Sequence, residues 1–182
     1  MAELIFQRTN PIAVATTYPR LVKLASTPGG LIANAHTVRH LVAEQGSEAH
    51  VEIAVQVATV LVRDFGGRLP ATKEALLELP GVGDYFASAV MCFGYGRQTV
   101  LMDANTERVA SRVMGRNGSG RRWQKRLDLY KLAGAHGADR AFNQAVLDLG
   151  AVVCLAPAPR CAVCPVSAHC ASSTKHPNAS RK

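Results

Sequence analysis

With 182 residues, 48% of them hydrophobic, the chain has enough apolar material for one globular unit or two small interlocked ones, which excludes wholesale disorder. Twenty-one Lys and Arg against thirteen Asp and Glu leave a formal charge of +8, favouring a polyanionic partner, with nucleic acid the first candidate. The longest apolar run, Ile53 to Val62, is broken by Gln56 and stops at Arg63, short of the roughly 20 residues that cross a bilayer, and Met1 does not open a secretory leader.

Strict apolar and polar alternation is scarce, whereas Ala, Leu, Val and Arg recur at helical spacing between short Gly, Pro, Ser and Asn breaks, so the expected fold is all-α. Asn10 and Pro11 form a cap and first-turn pair for a helix reaching about Ala25. Helices are expected over about Thr27 to Asn34 and Thr37 to Gln45, then a long one from a Ser47 cap through Asp64, stopped by Gly66 and Gly67. A short helix from Lys73 to Leu79, the turn Pro80 to Gly83 and a helix from Asp84 to about Phe93 read as helix, tight turn, helix. Gln98 to Met102 reads as an extended connector, and helices follow over Asn105 to Met114, Trp123 to Ala133 and Asp139 to Cys154. The polar stretch after Ala171 is expected to be a disordered tail.

Three features carry chemistry. Cys154, Cys161, Cys164 and Cys170 follow the spacing C-x6-C-x2-C-x5-C, four soft ligands within seventeen residues. In a chain without an export signal such cysteines point to a metal rather than to disulfides, and the spacing leaves zinc and a cysteine-ligated iron–sulfur cluster both open. Cys92, alone in the apolar segment ASAVMCF, reads as a small core residue. The segment LPGVG, Leu79 to Gly83, sets Gly81 and Gly83 around Val82 just before a helix, so backbone N–H groups can point outward and grip a phosphate oxygen. Asp103, in LMDANTERV, follows three apolar positions and precedes a helix; an Asp there is an ordinary N-cap and also a candidate carboxylate for catalysis.

The order of these features, LPGVG, then VLMDANTERV, then the four-cysteine loop, resembles the helix-hairpin-helix base-excision glycosylases of the endonuclease III superfamily. ELIFQRT resembles the first motif of that superfamily's adenine and thymine mismatch glycosylases, and FNQAVLDLGAVVC the segment leading into their cluster. The resemblance implies a 4Fe-4S cluster on the four cysteines, Asp103 as catalytic aspartate and Gly81, Val82 and Gly83 as the DNA-gripping hairpin. It also implies Glu3 as a pocket residue toward the departing base, Gln7 as a base-wedging or orphan-base contact, Arg8 at phosphate, and Arg160, in the loop between the first two cluster cysteines, against DNA. Arg108 and Arg112, one turn apart, with Arg116, Arg121, Arg122, Lys125 and Arg126, form a basic cluster that adds candidates for phosphate contact. Members that also cut the backbone carry a Lys two residues past the second hairpin Gly, where Schiff-base chemistry needs an amine; here Tyr85 stands, as in mismatch-specific thymine glycosylases.

The implied protein is a monomeric, monofunctional glycosylase acting on double-stranded DNA, on thymine or uracil opposite guanine, in the cytoplasm or at a bacterial or archaeal nucleoid. An adenine glycosylase acting opposite 8-oxoguanine and a catalytically silent iron–sulfur DNA-binding module are the rivals. The expected division is a helical barrel over about 27–133, a cluster subdomain of about 1–26 with 134–171, and a tail of 172–182.

Overall fold

The computed structural model describes residues 2–6, 11–43, 48–116 and 120–173, and among these the regular structure is helical, with no strand. The chain divides into two compact units, Met1–Ala87 and Ser88–Lys182.

The first unit is built around the longest helix. Its elements are α1 (Ala2–Ile5), α2 (Pro11–Leu24), α3 (Pro28–Ala33), α4 (Ala35–Ala43), α5 (Glu48–Phe65) and α6 (Lys73–Leu77). Apolar residues on α5 recur every three or four positions, and Val51, Ala54, Val57, Ala58 and Leu61 are all buried. Leu4 and Ile5 of α1, Leu31 of α3, and Val38 and Val42 of α4 are buried too, and their three helices pack on α5. The boundaries follow local chemistry. Thr27 caps α3 by accepting the Gly30 N–H at 3.0 Å, with Pro28 in the first turn. Gly66 and Gly67 end α5 at φ 58° and 76°, where a side chain would be strained. The proposed caps Asn10 and Ser47 lie outside the described residues.

Helix α7 (Asp84–Ala89) continues as a π-helical turn, Val90–Gly94. The second unit holds α8 (Ala104–Val113), α9 (Arg122–Ala133) and α10 (Arg140–Asp148), the last extended by a π-helical turn, Leu149–Val153. Val100, Met102, Val109, Ala110, Leu129, Ala133, Ala138 and Val146 form one buried core, with Leu149 and Cys154 packed against it. Helices α8 and α9 therefore share their core with α10 and the first of the four cysteines. The apolar faces of α8 and α9 turn toward α10 within the second unit.

Candidate active site and cysteine loop

Each hairpin glycine has its own reason. Gly81 sits at φ +68°, and a Cβ there would lie 2.6 Å from Ile53 Cγ2, so the turn stands directly on α5. A Cβ at Gly83 would meet nothing within 4 Å, so packing inside the protein does not demand that glycine. Val82 is buried and anchors the turn, its N–H donating to the Leu79 carbonyl at 3.1 Å. The N–H groups of Gly81 and Gly83 donate to no acceptor among the described residues. Lys73 Nζ, at the start of α6, reaches Asp84 Oδ1, at the start of α7, over 2.7 Å and braces the turn from both sides. Tyr85 lies half-buried in the first turn of α7.

Asp103 is the N-cap of α8. Its Oδ1 accepts the Thr106 N–H at 2.7 Å, and its own N–H donates to Thr106 Oγ1 at 2.9 Å, a reciprocal capping box. The cap and catalytic readings of this residue are compatible. The box uses one carboxylate oxygen, while Oδ2 makes no hydrogen bond among the described residues. The result is a half-buried carboxylate of fixed orientation with one oxygen available.

The connector before Asp103 is held by a residue that sequence reasoning passed over. Asn143, 2% exposed on α10, accepts the Leu101 N–H through Oδ1 at 2.9 Å, and its Nδ2 donates to the carbonyls of Thr99 and Asp139, both at 2.8 Å. The signal was present: an amide in the amphipathic segment FNQAVLDLG, on the side that faces the core, must find partners there. Gly150 brings the end of α10 against the start of α8, since a Cβ at that position would lie 2.7 Å from Asn105 Cβ.

The arginines after Asp103 do not behave as the charge count suggested. Arg108, expected at DNA, donates from Nε to the Cys154 carbonyl at 2.8 Å and from Nη2 to the Gly150 carbonyl at 2.7 Å and Asn105 Oδ1 at 2.8 Å. Arg112, one turn later, donates to the carbonyls of Leu155 at 2.7 Å and Ala156 at 2.8 Å and approaches Cys154 Sγ at 3.4 Å. The residues after α10 expose carbonyls that its helical ladder no longer satisfies, and these two guanidinium groups take them. Arg116 pairs with Asp128, which is 1% exposed, while Lys125 and Arg122 meet Glu107 at 3.1 and 3.7 Å. Arg160 is the contrast: exposed, at the edge of the cysteine loop, with no side-chain partner among the described residues.

Cys154, Cys161, Cys164 and Cys170 line one cavity of about 50 Å³ together with Arg112, Pro159 and Val166. Burial pushes the Cys170 thiol up, a hydrogen bond from the Ser172 backbone pulls it down, and the other three cysteines raise it further. Among the described residues no three His, Cys, Asp or Glu side chains are placed to hold a single metal ion. Cys92 is fully buried in the second unit, apart from this cavity, and burial likewise raises its thiol above the usual range. Gln7 and Arg8 lie outside the described residues, as does the side chain of Glu3 on α1.

Residues 64–93 match the helix-hairpin-helix motif. Over 127 residues the chain is 35% identical to a thymine/uracil-DNA glycosylase of Methanothermobacter thermautotrophicus, covering 68% of this chain and 57% of that protein. A thymine/uracil-DNA glycosylase of Pyrobaculum aerophilum is 31% identical across 92% of this chain and 76% of its own length. An adenine DNA glycosylase of Mycobacterium tuberculosis is 34% identical across 91% of the chain and 56% of its own length. Among solved structures, a thermostable thymine-DNA glycosylase superposes with a TM-score of 0.83 at 29% identity, covering 96% of this chain and 82% of the other. The chain thus spans less than two thirds of the Methanothermobacter and Mycobacterium proteins.

Proposed function

Because the chain belongs to the helix-hairpin-helix base-excision DNA glycosylases, we propose that it hydrolyses the N-glycosidic bond of a thymine or uracil mispaired with guanine and leaves the DNA backbone intact. The observation that carries the reading is Asp103, a carboxylate with one oxygen locked by its own helix and the other without a hydrogen bond among the described residues. Breaking an N-glycosidic bond builds positive charge on the sugar, and a fixed carboxylate beside that carbon stabilises it without reorganising. The available oxygen also orients the attacking water. A paired base is inaccessible in the stack, so the nucleotide first swings out of the duplex. The open N–H groups of Gly81 and Gly83 then hold a backbone phosphate, with Arg160 as a further contact. Tyr85 has no amine, so it forms no imine with the abasic sugar and cannot cut the strand by that route. Glu3 is the proposed contact to the departing base and Gln7 to the orphaned guanine.

Cys154, Cys161, Cys164 and Cys170 would hold a 4Fe-4S cluster. The four thiols line one shared cavity, and four cysteine sulfurs are the donor set such a cluster takes. When bound, the cluster supplies a cross-link that folds the loop carrying Arg160. Duplex DNA is the proposed substrate, the monomer the proposed working form and the cytoplasm its proposed location.

The test offers labelled duplexes with T opposite G, U opposite G and A opposite 8-oxoguanine, followed by alkali to reveal abasic sites. Product is expected from the first two, and only after alkali. Asp103→Asn is the informative variant, because Asn caps a helix as well as Asp and the fold is kept while the charge is lost. It should bind DNA normally and lose about a hundredfold or more in rate. Wild-type activity confined to A opposite 8-oxoguanine, or an active Asn variant, would defeat the reading.

A further inference from the structure

Helix α4 carries two histidines that neither the hairpin nor the carboxylate uses. His36 and His40 lie one turn apart on its exposed face, with Nε2 atoms 3.2 Å apart and ring centroids 4.5 Å apart. Each has the other as its contact. Arg39, between them in sequence, turns away and pairs with Glu52 on α5 at 2.9 Å, so its charge is already engaged.

We propose that His36 and His40 form a two-histidine site for a zinc-type divalent ion on α4, separate from the cysteine loop. The spacing suits a shared ion: two imidazole nitrogens at the usual zinc distance of about 2.05 Å, separated by 3.2 Å, subtend about 100° at the ion, close to the tetrahedral angle. Among the described residues no third His, Cys, Asp or Glu completes the set, so water or an outside donor fills the remaining positions. A bound ion links two turns of α4. Val38 and Val42 seat that helix in the core beside α5, and α5 carries the Ile53 on which Gly81 rests. Zinc therefore stabilises the unit that carries the hairpin.

The experiment uses the full chain with its cysteine loop loaded, titrated with zinc chloride by calorimetry and melted with and without zinc. His36→Gln and His40→Gln change exposed residues, and circular dichroism confirms that each variant folds. The expected result is one zinc bound per wild-type chain, a melting temperature raised by a few degrees, and binding weakened about tenfold or more in each variant. Undiminished binding in either folded variant, or no binding by the wild type, overturns the proposal.

Discussion

The hairpin at Gly81–Gly83 and the arginines of α8 both looked like anion-gripping elements, yet they use their donors in opposite ways. The hairpin has no formal charge, and the N–H groups of its two glycines are left without acceptors among the described residues. Arg108 and Arg112 carry full charges and turn them inward onto the carbonyls of Gly150, Cys154, Leu155 and Ala156. A formal charge of +8 therefore measures attraction at a distance, while the groups free to touch an anion are set by which donors the fold leaves unsatisfied.

This contrast can be broken most forcefully by dismantling the cysteine loop. Removing the proposed cluster with an oxidant and chelator should lower the melting temperature by on the order of 10 °C, because the carbonyls that Arg108 and Arg112 hold belong to the loop's entrance. Thiol labelling gives the site-by-site version: four cysteines become reactive and Cys92, buried with its thiol pushed up, does not. Labelling of Cys92 at the same rate would mean the whole second unit had opened.

A smaller effect separates the two kinds of arginine. Arg108→Met removes the donors to the part-buried Gly150 and Cys154 carbonyls and should cost about 2–3 kcal/mol in urea unfolding. Arg160→Met should stay within about 0.5 kcal/mol of wild type and reduce the dependence of DNA binding on salt by about one charge. The reverse pattern would return Arg108 to the DNA surface. Smallest is the comparison within the hairpin. Gly81→Ala combines a positive φ with a clash at Ile53 and should cost about 1–3 kcal/mol. Gly83→Ala should leave stability almost unchanged and weaken DNA binding alone, which gel-shift titration beside the melts will show.

Most of the helices were legible from periodicity and caps. Thr27, Asp103, Asp139 and the Gly66–Gly67 pair stand where their side-chain chemistry puts them. The two π-helical turns were not legible, because each is the last turn of its helix and no later turn displays the shift in apolar phase. At the candidate site, spacing singled out the four cysteines, which line one cavity, and the hairpin, which lies in the matched motif, while Asp103 was raised above an ordinary cap by the resemblance alone. The inward turn of Arg108 was invisible for a physical reason: its acceptors lie 42 and 46 residues away, on carbonyls that every residue type possesses. Asn143 shows the opposite case, where a polar side chain in a core-facing register is enough to mark a hydrogen-bonding hub.

Gly150 has a consequence for how this molecule comes apart. Two backbones meet there with no side chain between them, and Arg108 stitches the same seam a few ångströms along. Local opening of the segment that enters the cysteine loop cannot leave α8 behind, so amide exchange at the seam should report one cooperative unit containing both Thr106 and Cys154. The carboxylate and the cysteine loop then share a single lifetime: damage to one is a fluctuation felt by the other.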